Sequence, residues 1–349
     1  EANQQLGILF GRFALGIDGI IGIAAVVPVI AALTASPPAL PSAASSPRHR
    51  KPPRLASTAL LRHCRVVGGL MTTFIQALRS ALFYLLFFAQ TAVLALIIGT
   101  VGILWGRTRV TWALSQYWGN SNLWLLRWVV GIKTKVDGAE TIPPGPVIFA
   151  AKHMSDWDIF AILPHTIRPA FVAKKELMDI PFFGWAARSF DTIRIDRSKG
   201  GDALPLMLAD ARSAVAKGCR LVIFPEGTRK APLAPHDYRY GIVRMYLELG
   251  VPVVPMALTS GLYWSRKSLI LWPGTARARF LPAIQPGLDA DTFRDQLIAT
   301  IEGETNAMIL EAYHQGLTRP LVEPLAGRLR ALAAGQPPIA EERAKPTIS

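Results

Sequence analysis

The sequence predicts an α/β fold: a mixed, largely parallel sheet flanked by helices and preceded by N-terminal membrane helices. Two observations carry this. After Gly138, short apolar runs of β type alternate with helix-patterned stretches, the texture of strand–helix–strand units. Before it, Ala81–Trp105 runs for 25 residues without a charge, bounded by Arg79 and by Arg107 and Arg109. At about 1.5 Å per residue, such a helix can cross a hydrocarbon layer of about 30 Å with some tilt.

The totals point the same way. The chain has 349 residues, 51% of them hydrophobic and only 18% charged. Soluble domains usually carry roughly 25% charged residues. The 38 Lys and Arg against 24 Asp and Glu leave a net charge of +14. A basic chain suits nucleic acid or an anionic membrane surface. The arginines are spread out rather than massed in a block, and the apolar excess favours the membrane over nucleic acid. Two cysteines, Cys64 and Cys219, exclude a disulfide framework and a four-cysteine zinc site.

Residues 1–70 read as a leader, non-native or disordered. They carry seven basic against two acidic residues, and Ala35–Ser57 is rich in Ala, Pro and Ser, a composition that cannot bury a core. Met71 is the first methionine. Residues 71–135 read as membrane-spanning and interfacial helices. After Ala81–Trp105, the stretch Val110–Ile132 holds Trp112, Trp118, Trp124 and Trp128, a residue type favoured at headgroup level.

Residues 136–315 read as a catalytic domain. Strands are expected over Pro146–Lys152, Ala170–Lys174, Thr192–Ile195, Leu221–Phe224, Val253–Leu258, Ser268–Trp272 and Arg277–Phe280. Helices are expected over Asp156–Pro164, Ile180–Arg188, Leu206–Lys217, Gly241–Leu249 and Asp291–Tyr313. Residues 316–349 read as a frayed C-terminal tail.

Two local patterns carry chemistry. KHMSDWD, Lys152–Asp158, follows a strand and opens a helix. His153 and Asp158 are five apart, about 140° around a regular helix, so they meet only if His153 sits in the turn before it. There the carboxylate can take one ring N–H, fixing the tautomer and leaving the other nitrogen as a base. Ser155 or Asp156 suits the N-cap. FPEGTR, Phe224–Arg229, follows the strand LVI. A turn at a strand's carboxyl end is where open α/β sheets bind ligands, and the Arg229 fork matches a phosphate.

With IPFFGWAARSFDTIRIDR between them and VPVVPM after them, these blocks resemble the glycerolipid acyltransferase family, over about residues 75–285. The pattern is most similar to the acylglycerol-phosphate branch of that family. The resemblance implies a glycerol-3-phosphate acyltransferase-like fold. It implies His153 as general base and Asp158 as its orienting partner. It implies an acceptor-phosphate site of Arg197, Glu226, Gly227, Thr228 and Arg229, with Pro255 on the acyl side. The second block departs at Asp191, where the family usually has Gly.

The implied reaction moves a fatty acyl group from acyl-CoA or acyl-carrier protein to lysophosphatidate, forming phosphatidate. Its implied setting is a lipid bilayer, with the catalytic domain on the cytoplasmic side of the membrane. Other lysolipids or glycerol-3-phosphate are alternative acceptors, and a catalytically silent membrane-binding homologue is the other alternative. The donor thioester is already reactive, so no enzyme nucleophile is needed, and the sequence holds no Gly-x-Ser-x-Gly elbow. His-Glu-x-x-His, Cys-x-x-Cys, the P-loop and Gly-x-Gly-x-x-Gly are missing too, so neither metal nor cofactor is implied.

Overall fold

The structure, a computed structural model, describes residues 54–106, 109–180, 183–196, 201–266 and 268–336. Arg197 and residues 1–53 of the expected leader lie outside them.

Helix α1, Arg54–Trp105, is continuous across Met71, so the expected boundary at residue 70 is no boundary in the helix. Within it, Gly69–Trp105 is long and apolar enough to cross a membrane. One stripe faces the rest of the protein: Gln76, Ser80, Phe83, Leu94, Ala95 and Ile98 are buried. The steps of three and four residues are those of one helix face. The other face leaves Phe74, Leu78, Leu82, Leu85, Val93 and Leu96 exposed.

Polar side chains rivet the stripe. Arg79 Nε donates to the Val129 carbonyl at 2.6 Å, and the Leu271 N–H donates to Ser80 Oγ at 2.9 Å. Gln90 and Thr91, isolated in the apolar run, are satisfied by Asn122 and by the Trp118 indole N–H. Near the C-terminal end, α1 passes so close to Ser189 that a Cβ on Gly102 would clash with its hydroxyl.

Helix α2, Arg109–Leu125, ends in a π-helical turn, Leu126–Val130, closed by Gly131 in the left-handed conformation. It packs on α1. Trp124 and Trp128 are exposed, whereas Trp118 packs edge-on against Phe160.

The described strands form one sheet of seven, in the order β1-β7-β6-β2-β5-β3-β4. They are β1 (Ile132–Asp137), β2 (Ile148–Ala151), β3 (Pro169–Lys174), β4 (Ile193–Ile195), β5 (Arg220–Ile223), β6 (Val253–Leu258) and β7 (Gly274–Phe280). Only the β6–β7 pairing is antiparallel. The helices between them are α3 (Trp157–Ile162), α4 (Phe183–Arg188), α5 (Leu204–Ala216) and α6 (Gly241–Leu249), followed by α7 (Ala290–His314) and α8 (Leu325–Ala333).

Strand β2 is central and buried throughout. Its alternation sends Phe149 and Ala151 into one core with Phe83, Trp157 and Trp264, and Ile148 and Ala150 into a second with Met207, Tyr246 and Phe293. Helix α7 contributes to both, through Ile309 on one side and Leu297 on the other.

Three expectations need correcting. Ser268–Trp272 is not a strand: its amides are taken by Ser265 O, Ser268 Oγ, Ser80 Oγ and Tyr263 O instead of a ladder. Residues 132–135, expected to end the helical region, belong with Val136 and Asp137 to the edge strand β1, whose half-exposed IKTKVD lacks a strong apolar run. Leu325–Ala333 is a helix rather than frayed tail, because Leu325 and Leu329, four apart, enter the core.

Candidate active site

Strands β5, β2 and β6 are adjacent and parallel, so the loops at their carboxyl ends meet at one edge of the sheet. This brings together His153 and Asp158 after β2, Glu226–Arg229 after β5, and Ser260 after β6. Residues 73 apart in the chain become neighbours because their strands pair. The Lys230 N–H donates to the His153 carbonyl at 2.8 Å and stitches two of the loops.

His153 precedes α3, as the spacing requires, and Asp158 lies in that helix's first turn. His153 Nδ1 lies 2.9 Å from Asp158 Oδ2. That oxygen also accepts the backbone N–H groups of Met154 at 2.7 Å and Ser155 at 3.0 Å. Asp158 Oδ1 accepts the Ser260 hydroxyl at 2.5 Å and the Ser155 hydroxyl at 3.4 Å. A carboxylate that accepts on both oxygens has no proton to give. Nδ1 therefore carries the hydrogen and Nε2 is the basic nitrogen. Asp158 is fully buried, while the His153 side chain keeps 15% of its surface. Phe224 stacks on the imidazole at 3.9 Å and 19°, fixing the plane of the ring.

The other expected residues separate into two groups. Arg229 Nη1 donates to Asp156 Oδ2 at 2.8 Å, so the arginine of FPEGTR is held against the histidine loop. Asp156 is at the N-cap of α3, but its side chain does not cap; it holds the guanidinium. Gly227 has φ of +67°, which a side chain would strain, and its N–H closes a turn onto the Phe224 carbonyl at 2.9 Å. Thr228 is half-buried in the same turn.

Glu226, from the same turn, is held by the neighbour of His153 instead. It is 1% exposed and accepts from Lys152 Nζ at 3.0 Å. The same ammonium donates to Glu302 of α7 at 2.6 Å, and the Tyr238 hydroxyl donates to Glu302 at 2.9 Å. Burial pushes the Glu226 carboxyl above its ordinary value, opposed by Lys152, and burial pushes the Tyr238 hydroxyl up as well. Pro255 is buried in β6 opposite Ala150, and its carbonyl accepts from the Leu281 N–H. Asp191, at the position where the second block departs, accepts from Lys217 Nζ at 2.8 Å.

Sequence reasoning overlooked Ser260, Lys152, Tyr238 and Glu302. Ser260 had a signal: it is the second residue beyond the expected strand Val253–Leu258. Glu302 had none, being one acid among many on a long helix.

Comparisons with known proteins bear on the family and the fold. Residues 133–259 match the family model described as Acyltransferase. The 1-acyl-sn-glycerol-3-phosphate acyltransferase of Pseudomonas aeruginosa is 33% identical over 242 residues, which is 68% of this chain and 91% of that protein. The chain belongs to the acyltransferase family. A relative of the same name from Limnanthes douglasii is 30% identical over 202 residues, 56% of this chain and 71% of that protein. The fold matches the crystal structure of the 1-acyl-sn-glycerophosphate (LPA) acyltransferase PlsC from Thermotoga maritima. The TM-score is 0.56 at 21% identity, over 67% of this chain and 97% of that one.

Proposed function

We propose that the protein is a membrane-bound acyltransferase that forms phosphatidate from 1-acylglycerol-3-phosphate. His153 Nε2 removes the proton of the acceptor hydroxyl, and the oxygen attacks the thioester carbonyl of acyl-CoA or acyl-carrier protein. The C–O bond forms, the C–S bond breaks, and the imidazolium returns its proton to the departing thiolate. Asp158 holds the imidazole in the required tautomer and stabilises its cation. The observation that carries the reading is the saturated Asp158 carboxylate, which leaves Nδ1–H one partner and Nε2 free to act as base.

Arg229, with Arg197, Gly227 and Thr228, receives the acceptor phosphate; a guanidinium half engaged by Asp156 keeps further donors for it. Glu226 serves the site from beneath, by holding Lys152. Pro255 supports the acyl side from within β6. The exposed face of α1, with Trp124 and Trp128 of the neighbouring helical segment, supports the membrane assignment. Between Gln76 and Ile98, α1 lies with one face on the domain, so its opposite face meets lipid beside the site. Such an arrangement lets both substrates arrive from the bilayer.

The test is an acceptor panel with the purified chain in lipid vesicles, supplied in turn with acyl-CoA and acyl-carrier protein. The expected result is phosphatidate from lysophosphatidate, with little transfer to lysophosphatidylcholine or glycerol-3-phosphate. Preferred transfer to either of those assigns a different acceptor, and no transfer from either donor overturns the reading.

A further inference from the structure

We propose that Ser260 is a positioning residue for the catalytic dyad, a role that rests on the general-base reading of His153. Its residue number lies one beyond the segment that matches the family model. It occupies the first position of a 3-10 turn at the carboxyl end of β6, and it is fully buried. Its hydroxyl donates to Asp158 Oδ1 from a residue 102 positions away. The strong donors to Oδ2, the Met154 and Ser155 N–H groups and His153, all come from Asp158's own loop. They fix one oxygen, and on the other the loop supplies only the long contact from the Ser155 hydroxyl at 3.4 Å. Ser260 fixes the other from a different strand, so the carboxylate plane, and with it the Nδ1–H direction, is set by tertiary structure.

The backbone of Ser260 is itself held. Its carbonyl accepts the N–H groups of Tyr263 and Trp264, both at 2.9 Å. Trp264 packs edge-on to Phe83 of α1 at 5.5 Å and 88°. A Cβ on the next residue, Gly261, would press to 2.9 Å of the Met154 side chain, so the turn sits directly against the histidine loop. Charged groups around the dyad include Lys152, held by Glu226 and Glu302, the Asp156–Arg229 pair, Arg266 on the Arg229 carbonyl, and Arg319 on the Gly261 and Leu262 carbonyls. No described hydrogen bond links any of them to Asp158. Ser260 thus closes a continuous path from the apolar helix through Trp264 to the dyad.

A hydrogen bond to a charged group is the strong kind, and losing one that orients a base lowers turnover rather than binding. Ser260→Ala deletes only the hydroxyl and leaves Asp158 short of a donor.

The experiment measures kcat and KM for the wild type, Ser260→Ala, Ser260→Thr and His153→Ala in vesicles, with thermal unfolding of each. For Ser260→Ala we expect kcat to fall about ten- to a hundredfold. KM should stay within about twofold, so that the loss is one of turnover and not of binding, with unfolding near that of the wild type. Recovery of kcat in Ser260→Thr, which restores the hydroxyl, supports the role again. An unchanged kcat in Ser260→Ala overturns it, as does a rise in KM that accounts for the loss or a loss of activity that tracks a loss of folded protein. Retained turnover in His153→Ala removes the general-base reading instead, so the two failures are told apart.

Discussion

Two charge clusters flank the peptide bond between Lys152 and His153, and they are built in opposite ways. On the His153 side the partner is Asp158, five residues on, and the imidazole keeps some of its surface. On the Lys152 side the partners are Glu226 and Glu302, 74 and 150 residues on, and the ammonium is 2% exposed. Adjacent residues leaving a strand point to opposite faces, so one backbone places a reactive group on one side and an anchor on the other. The local cluster is open and suited to move a proton. The distant one is closed, and it ties β2, the loop after β5 and α7 to one point. Chemistry here depends on anchorage that the reacting groups do not themselves provide.

The largest effect separates the two clusters outright. His153→Ala should lower turnover about 10²–10⁴-fold while thermal unfolding stays close to the wild type; an unfolding temperature that collapsed with activity would make His153 an anchor too. Next comes Lys152→Met, which leaves the buried Glu226 and the half-buried Glu302 without their cation. It should cost about 3–5 kcal/mol and lower Tm on the order of 10 °C. A variant that melts like the wild type would show that the buried triad is not an anchor. Smaller is Arg229→Lys, which keeps a charge but loses the planar fork. Acceptor KM should rise about tenfold with kcat and Tm nearly unchanged. An unchanged KM would remove Arg229 from the acceptor phosphate and leave it only the pairing with Asp156.

The contrast also sets what can be read without a structure. The dyad was legible because both members and most of their hydrogen bonds lie within seven consecutive residues, between a strand and a helix. FPEGTR was legible for the same reason: its glycine, turn and arginine are local. Strands β2, β5 and β6 announced themselves as buried apolar runs. Strand β1 did not, because an edge strand with Lys133 and Lys135 on its open face has no such run. The tail helix α8 was overlooked because its few leucines gain meaning only from the core they enter.

By itself the sequence determined the class of fold, the apolar helix, the histidine–aspartate turn and the family resemblance, all of which rest on short-range spacing. Only the tertiary structure decided which distant groups complete the site. Strand pairing set Ser260 on the second oxygen of Asp158 and turned Glu226 inward to Lys152. It also brought Glu302 under the loop and laid α1 along the domain by one stripe. Each of these joins residues dozens to more than a hundred positions apart. No periodicity encodes such a meeting, because it is fixed by which strands lie side by side and which faces are left to bury.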